Sequence, residues 1–491
     1  MSNSDPNDVF PPGTIKLEER QGVESEFKLS PTPSDDPDDP LNWSPLRKAV
    51  NFGLTCSYVL FTLVLVDINS LAYRGYMSEL GLTYATFNQA SGSNFAGLAI
   101  GWLLFIPCVP KFWPSPYLLA QCDCAVGMCY LVGKLSQGWR THWCQSAGSV
   151  SEAVVMITIV DLFFVHQHAR MNGIFLFMQS LGSTGGPIAA GYIVVSMGWR
   201  WMWWMIAIFP GVNLILVLFF FVEPKYIPLV KVATPSTLRV ATRSTVDARH
   251  SRKTVRQRLA FVTKTDMPIV QHFYQPLLIL FSFPAVAYTA ITYGTILAWF
   301  SANTSSSSYF VLDDPYEFSA SAIGLLHLGG FLGTFIATLT VPAQNDSFIV
   351  RAAKKNGRVF EPDMRLWMSI PGALLNCAGL FIYGQGIYGF GFITTADVAL
   401  TYLPDCYPDI LGDALNSIVF VRNGFAMVVR FAFTPWVTGM GIQNSFILIS
   451  MLALLPVTLP ILLMIYGKRA RSSTADKYWK YAARQPVHRK A

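Results

Sequence analysis

The sequence predicts an all-α integral membrane protein with twelve transmembrane helices in two six-helix bundles. Between Val50 and Tyr466 the chain carries about a dozen apolar runs of membrane length. A helix of about 20 apolar residues crosses the hydrocarbon core with its backbone hydrogen bonds satisfied internally. Charged residues make up only 13% of the chain, whereas about 25% is usual in soluble domains. One long basic connection divides the apolar runs into six and six.

The predicted spans follow one another closely, at residues 50–72, 88–109, 115–134, 143–164, 173–196, 201–222, 276–300, 320–341, 365–384, 387–404, 415–437 and 445–467. They define an N-terminal bundle at 49–222 and a C-terminal bundle at 276–467, joined by a basic cytosolic loop at 223–275. Residues 1–48 are acidic and rich in proline, which predicts a disordered cytosolic tail. Residues 468–491 are predicted to be a basic cytosolic tail.

The distribution of Lys and Arg predicts the orientation in the membrane. The central loop holds ten of them and the C-terminal tail eight, whereas the connections on the opposite face hold few: Arg74, Lys134, Arg140 and Arg200. Because Lys and Arg stay on the cytoplasmic side, both termini are predicted to be cytosolic. Asn303-Thr304-Ser305 is a glycosylation sequon in the predicted outer loop after the seventh span. We expect a plasma-membrane protein, with the vacuolar membrane as the alternative.

Several function classes do not fit this chain. The net charge of +7 comes from basic residues in the loops, which favours membrane orientation over nucleic-acid binding. The eight cysteines lie mostly inside apolar runs, so neither a disulfide framework nor a metal site is expected. No phosphate-binding loop and no hydrolytic or redox constellation is visible in the sequence. We therefore expect neither an ATP-driven pump nor an enzyme, and no cofactor.

Charged residues inside the predicted spans are candidates for function, because an ionisable side chain is costly in the hydrocarbon layer. They are Asp67, Asp123, Glu152, Asp397 and Arg430. Asp161 follows Glu152 by nine residues, and Asp405 follows Asp397 by eight, which suggests that the fourth and tenth spans are equivalent in two repeats. A carboxyl group in a cavity of low dielectric constant can bind and release a proton, as proton coupling requires.

Each of these charges also has a structural interpretation. Glu152 could hydrogen-bond neighbouring helices, Asp67 could be solvated near the outer interface, and Asp123 could face a neighbouring helix. Arg430 could neutralise an acid. Arg422, near the predicted cytoplasmic end of the eleventh span, is interpreted as structural.

Several stretches match patterns of a known transporter family. They are residues 39–44 before the first span, 151–166 in the fourth, 182–191 in the fifth, 361–367 and 402–408 around the ninth and tenth, and 421–423 in the eleventh. On these stretches the chain resembles a fungal member of the major facilitator superfamily, close to the twelve-span drug:proton antiporters. The resemblance covers about residues 40–467. It implies a fold in which the first, fourth, seventh and tenth spans surround a cavity, which favours Asp67, Glu152 and Asp397 as proton or substrate sites.

The fifth span carries a pattern similar to the antiporter signature of that family. Gly182, Gly186 and Ala190 recur every four residues, and Gly191 follows, so one stripe of the helix allows close packing. Pro187 removes a backbone donor and bends the helix. The resemblance implies that this stripe gates the cavity, and ordinary helix packing is the alternative.

The resemblance also implies a charged cytoplasmic gate, and here the chain departs from the family. Of the usual basic turn between the second and third spans only Lys111 remains. Its acidic partner Asp161 is present, Arg170 could replace the lost basic residues, and Asp405 is the equivalent acid of the tenth span. A second departure is that only 39 residues, from Leu366 to Pro404, are left for the ninth and tenth spans, which raises the alternative of a deletion and an impaired transporter.

These observations predict a proton-coupled antiporter that exports a small organic compound, such as a drug or a fungal secondary metabolite. The energy source is the proton gradient, the partners are the substrate and the lipid bilayer, and the protein is expected to be a monomer. The aromatic residues of several spans suit apolar or cationic substrates: Tyr58, Phe61, Phe175, Phe177, Tyr288, Tyr293 and Trp299. Four tryptophans, at 199, 201, 203 and 204, are interpreted as an interface belt. Proton-coupled uptake of an organic cation such as a polyamine and a non-transporting membrane sensor are the alternatives.

Overall fold

The computed structural model describes residues 11–16, 39–105, 165–222 and 269–482, apart from positions 82, 313, 315, 358 and 383, together with a few single positions between 155 and 163. In these residues the protein is almost entirely helical, as predicted. The N-terminal half contains α1 Pro45–Asp67, α2 Tyr73–Leu80, α3 Tyr84–Phe105, α4 Val165–Ser180, α5 Gly186–Met197 and α6 Trp199–Phe220. The C-terminal half contains α7 Ile269–Ser282, α8 Pro284–Phe310, α9 Ala320–Lys355, α10 Ser369–Phe381, α11 Gln385–Cys406, α12 Leu411–Leu452 and α13 Leu455–Ala482.

Shorter elements connect the helices. They are 3-10 helices at Pro40–Asn42, Ile68–Ala72, Pro362–Met368 and Pro408–Ile410, and one antiparallel pair of two-residue strands, β1 Ile15–Lys16 and β2 Val359–Phe360. Local chemistry fixes the helix starts: Ser44 accepts a hydrogen bond from the backbone of Arg47 and Pro45 opens α1, while Ser319 caps α9 in the same way.

Five stretches of the described residues are long and apolar enough to cross a membrane, namely Pro45–Leu80, Trp199–Phe220, Pro284–Ser306, Ala320–Lys355 and Pro408–Ala482. The last contains the predicted eleventh and twelfth spans, which Gly441 separates with a positive φ of 77°. The seventh span begins at Pro284 instead of position 276, and α7 precedes it as a separate helix. We call the side of the molecule that bears Pro45 and Lys468 the cytoplasmic side, following the predicted orientation.

The fifth span is one helix interrupted by a wider turn. Leu181–Gly185 forms a π turn between α4 and α5, in which the amide of Gly186 donates to the carbonyl of Leu181. Pro187 has no amide hydrogen, so the regular hydrogen bond to position 183 cannot form. The proline that the sequence marked as a bend therefore lies next to a local widening of the helix.

The shortened region from Leu366 to Pro404 still contains a helix for the ninth span, α10, and one for the tenth span, α11. α11 has 22 residues, enough to cross about 30 Å at 1.5 Å per residue. Glycines let α10 and α11 pack in close antiparallel contact: Gly372 faces Thr394, Gly379 faces Tyr388, and Gly391 faces Asn376. α9 closes the other side of α11 through further glycines. The polar and glycine-rich sequence of α11 fits this environment, because the helix is surrounded by other helices.

Both ends of the chain contact the C-terminal bundle. β1 lies within the predicted disordered tail, yet it pairs with β2, and Gly13 approaches the backbone of Asp405. At the C-terminal end of the chain, α13 continues into the predicted basic tail as far as Ala482. Arg471 of α13 is 1% exposed, and its guanidinium donates to the carboxylate of Asp363 at 2.6 Å. Tyr402 donates to the same carboxylate at 2.8 Å. Residues from both ends of the chain are therefore part of the folded cytoplasmic end of this bundle.

Replacing Arg471 with Met should destabilise the protein by about 3 kcal/mol, because the buried carboxylate of Asp363 would lose its cation. The matched control is Lys468→Met, which removes the exposed Lys468–Glu361 pair and should cost less than about 1 kcal/mol. Thermal unfolding of both purified variants in one detergent measures the difference. Equal losses in the two variants would contradict this account of the α13 contact.

Candidate functional site

The two helix bundles meet along two long contacts. α3 packs along α12, where Gly92 lies against the ring of Phe431, and α4 and α5 pack along α9. In the second contact a Cβ atom added at Gly191 would lie 2.6 Å from the carbonyl oxygen of Ala320, and one added at Gly324 would lie 2.9 Å from that of Pro187. Between these two contacts a space remains, and the other spans enclose it.

A cavity of about 1320 Å³, including the part open to solvent, lies between the bundles. The N-terminal bundle lines it with residues of α1, α3, α4 and the π turn, and the C-terminal bundle with residues of α8, α9, α11 and α12. Its polar lining groups include Asp67, Gln179, Ser183, Thr304, His327, Gln385, Arg422 and Asn423. Its aromatic lining groups include Phe95, Tyr293, Phe300, Tyr388 and Phe392. Most of the wall is apolar, with a few convergent polar groups, as in ligand-binding cavities.

Contacts between the bundles close the outer side of the described cavity. Arg74 donates to the carbonyl of Leu312 at 3.5 Å, and the hydroxyl of Tyr84 donates to the carbonyl of Ser305 at 3.5 Å. Asn88 accepts from the Ser305 hydroxyl and donates to Thr434 at 2.9 Å. The described residues therefore show a conformation that is sealed toward the outside.

Asp67 is the acidic residue that the described structure places at the cavity. It is the last residue of α1 and is 7% exposed, with its side chain in the cavity wall. Ser183 of the π turn hydrogen-bonds to its carboxylate, and Arg430 of the opposite bundle lies within electrostatic range. An ionisable group that lies in one bundle and interacts electrostatically with the other is well placed to respond to their relative position.

Arg430 is buried on α12 and approaches this acid from the C-terminal bundle. Its Nε donates to the hydroxyl of Ser301 on α8, and its guanidinium lies 6.0 Å from the ring centre of Phe95. Asp67 and Arg430 interact electrostatically, although they form no direct ion pair within 4 Å in the described residues. The sequence singled out both residues but gave no sign that they face each other.

Two further polar residues of the cavity wall were not among the candidate sites named from the sequence. Arg422, interpreted as structural, lines the cavity, donates to the hydroxyl of Tyr293 at 3.2 Å and lies 5.1 Å from its ring centre. His327 of α9 is buried in the cavity wall, and its Nδ1 lies 3.1 Å from the carbonyl of Ile323. A histidine inside an apolar run was the available signal for His327.

Asp397 is not among the residues that line the cavity, and its charged neighbours belong to a second, cytoplasmic cluster. It is buried in α11, and its main electrostatic neighbours are Arg365 and Asp346. Arg365 pairs with Asp405 at 2.7 Å and with Asp346 at 3.8 Å. Asp405 was predicted as a gate residue, whereas its partner Arg365 was noticed only within the stretch 361–367. This cluster joins the cytoplasmic ends of α9 and α11.

The small-residue stripe of the fifth span contacts two helices. A Cβ atom added at Gly182 would lie 2.6 Å from the carbonyl of Leu60, and one at Gly186 would lie 2.7 Å from Val64, both on α1. One turn later Pro187 and Ala190 are buried, and Gly191 contacts the start of α9. The stripe therefore packs on α1 at one level and on the opposite bundle at the next.

The aromatic predictions divide similarly. Of the seven aromatic residues named from the sequence, Tyr293 lines the cavity, and the other aromatic lining residues were not anticipated.

The tryptophan cluster is only partly an interface belt. Trp201 is exposed, whereas Trp199 donates to Glu79 at 3.1 Å and Trp203 donates to Tyr76 at 2.9 Å.

Several predicted site residues lie outside the described residues, namely Lys111, Asp123, Glu152 and Asp161, and the same holds for the side chain of Arg170. Within the part of the chain that the structure describes, no group of His, Cys, Asp and Glu side chains could hold a metal ion.

The structure places Asn303 of the predicted glycosylation sequon in a helix, where it is buried. α8 continues to Phe310, so Asn303 lies in a helix and not in an outer loop. It is 5% exposed, and its amide donates to Gln385 at 3.0 Å. An N-linked glycan needs an accessible amide nitrogen, and this nitrogen is engaged between α8 and α11.

Comparison with known proteins gives consistent matches over most of the chain. A family model described as Major Facilitator Superfamily matches residues 52–429. An uncharacterized MFS-type transporter of Schizosaccharomyces pombe is 26% identical, with 96% of this chain and 94% of the relative covered. Protein HOL1 of Saccharomyces cerevisiae is 25% identical, with 97% and 98% covered. The efflux pump radE of Floropilus chiversii is 26% identical, with 89% and 84% covered.

A solved structure supports the fold. The crystal structure of the human organic anion transporter MFSD10 (TETRAN) matches with a TM-score of 0.54 and 16% sequence identity, over 85% of this chain and 100% of that chain. At this identity the likeness supports the fold alone.

Replacing Gly186 with Leu should abolish transport while membrane expression is retained. The change adds four heavy atoms against Val64, and overpacking of this kind costs about 1–3 kcal/mol. Gly53→Leu is the matched control, because a Cβ atom added at Gly53 on α1 meets no atom of the described residues within 4 Å. Surface expression and substrate flux should be measured for both variants. Normal flux in the Gly186 variant would show that the contact with α1 can open without cost.

Replacing Asn303 with Gln should leave the electrophoretic mobility of the protein from its native host unchanged, before and after treatment with an endoglycosidase. The reason is that the Asn303 amide is buried against Gln385. A mobility shift on deglycosylation that the Asn303 variant lacks would overturn this placement.

Proposed function

The chain belongs to the Major Facilitator Superfamily, and we propose that it is a secondary active transporter that exchanges protons for a small organic compound, which it exports. The observation that carries the proposal is the cavity between the bundles, with Asp67 of one bundle in its wall and within electrostatic range of Arg430 of the other. Two of the similar fungal proteins are named as an MFS-type transporter and an efflux pump, which supports transport as the general activity.

Asp67 is the proton site in this proposal. It is buried at the cavity, interacts with Ser183 of its own bundle and lies within electrostatic range of Arg430 of the other. Ionised Asp67 attracts Arg430 and favours the outer-closed arrangement of the described residues. Protonation removes that attraction, so the cost of separating the bundles on the outer side falls.

Substrate binding would use the rest of the same wall. Phe95, Phe300, Tyr388 and Phe392 offer flat apolar surfaces, and Gln385 offers an amide near the outer seal. Such a lining suits a small organic molecule with an aromatic or aliphatic body and few polar groups. Export requires that the proton and the substrate occupy the cavity alternately, which a carboxyl group in the wall permits. We place the protein in the plasma membrane as a monomer.

Uptake of an organic cation such as a polyamine is the second candidate. The observation in its favour is the combination of Asp67 with aromatic side chains in one wall, since both attract cations. The two candidates differ in the direction of substrate movement relative to the proton gradient. A non-transporting sensor would bind ligand without either movement.

The decisive experiment is transport in proteoliposomes with an imposed pH gradient. Asp67→Asn keeps the size of the side chain but cannot titrate, so gradient-driven substrate accumulation should be lost while substrate binding and exchange persist. Asp397→Asn should retain coupling, because Asp397 does not line the cavity and its charged neighbours are Arg365 and Asp346. Glu152→Gln tests the acid of the fourth span in the same assay.

The controls separate the alternatives. Wild-type protein that moves substrate against the proton flow supports antiport, and movement with the proton flow supports uptake. Full coupling in the Asp67 variant would exclude Asp67 as the proton site. A wild-type protein that ignores the gradient would overturn proton coupling altogether.

A further inference from the structure

The helix before the C-terminal bundle, α7, has an exposed apolar edge. Its exposed side chains recur at intervals of three and four residues, so they form one stripe: Tyr274, Leu277, Leu278 and Phe281. Phe281 is 86% exposed. On the opposite face Pro276 and Ile279 are buried, and Ile279 packs with Ala414 and Ile418 of α12. α7 therefore has two apolar faces, one packed against the protein and the other exposed.

The contacts of α8 fix the depth at which α7 lies. α8 and α12 run side by side in the same direction, with Tyr293 on Arg422 and Ser301 on Arg430, so facing residues differ by 129. If α7 continued α8 in a straight line, Pro276 would face position 405, six residues before α12 begins at Leu411.

The observed contact is elsewhere. The carbonyl of Pro276 accepts a hydrogen bond from Ser417, which by the same register is level with position 288 of α8. Pro276 thus lies about 12 residues, or about 18 Å at 1.5 Å per residue, deeper toward the bilayer than a straight helix would place it. The chain turns at Phe283, since the residue before a proline avoids the helical region and Pro284 opens α8. Phe283 is buried against Tyr407, with ring centres 4.9 Å apart.

We propose that α7 lies in the plane of the cytoplasmic leaflet and that Tyr274, Leu277, Leu278 and Phe281 bind the acyl chains of its phospholipids. The helix crosses the first turns of α12, at the cytoplasmic ends of the spans, where an outward apolar edge meets the boundary of the hydrocarbon layer. The sequence before α7, residues 223–268, carries ten Lys and Arg, which suits the anionic surface of that leaflet.

The position of α7 gives this contact a consequence. α7 packs on the start of α12, and α12 carries Arg422 and Arg430 further along its length. A helix anchored in the leaflet thus braces the element that brings Arg422 to the cavity wall and Arg430 to Ser301 of that wall. This inference rests on the membrane fold and not on the proposed direction or coupling of transport.

Lipid photolabelling tests the proposal on the unmodified full-length protein. The protein is placed in nanodiscs of phosphatidylcholine that include a phosphatidylcholine with a diazirine in its acyl chain, and adducts are mapped by mass spectrometry after irradiation. We expect adducts on the α7 stripe. Phe219 of α6, which is 79% exposed, is the positive control, and Trp479 near the end of α13 is the cytosolic negative control.

A pair of variants sharpens the test. Phe281→Glu should remove most adducts on α7 while those on Phe219 persist, and Phe281→Leu should retain them. If Phe219 is labelled and α7 is not, the proposal is overturned. This holds both when the stripe faces water, where a water-soluble carbene would label it, and when another part of the chain covers it. Labelling of α7 that matches Trp479 in yield would overturn it as well.

Discussion

A charge in the hydrocarbon layer must be satisfied by the protein itself, and the arrangement of the two bundles follows from this constraint. Asp67 comes from one bundle, and Arg430 and Arg422 come from the other. Serine and tyrosine hydroxyls support them: Ser183 lies at Asp67, Ser301 at Arg430 and Tyr293 at Arg422. The charged groups therefore gather where the bundles face each other, and the lipid-facing surfaces are left to apolar side chains.

Close approach of helices makes that arrangement possible. The fifth span reaches both α1 and α9 because it presents Gly182, Gly186 and Gly191 where backbones meet. The tenth span uses the same device more heavily, with Gly389 and Gly391 against α9 and α10. Without a hydrophobic driving force between helices in lipid, packing at short distance and internal hydrogen bonds hold the bundle together. The glycine content of the tenth span is therefore a packing feature.

The cytoplasmic end of the C-terminal bundle is organised by buried charges. Arg471 reaches Asp363 from α13, and Arg365 joins Asp346 and Asp405. Each guanidinium ties together connections that are distant in sequence, so the linkers before the ninth span and after the tenth become one unit. This unit gives α7 and the N-terminal strand β1 a fixed surface on which to dock.

The sequence by itself determined the membrane class, the all-helical fold, the family resemblance and the intramembrane charges, because these depend on local composition and on the cost of polar groups in lipid. It could not show that Asp67 faces Arg430, that Arg422 and His327 line the cavity, or that Asn303 is buried against Gln385. Those facts depend on which face of each helix meets another helix. That choice is made by contacts between residues far apart in the chain, and only the tertiary structure decides it.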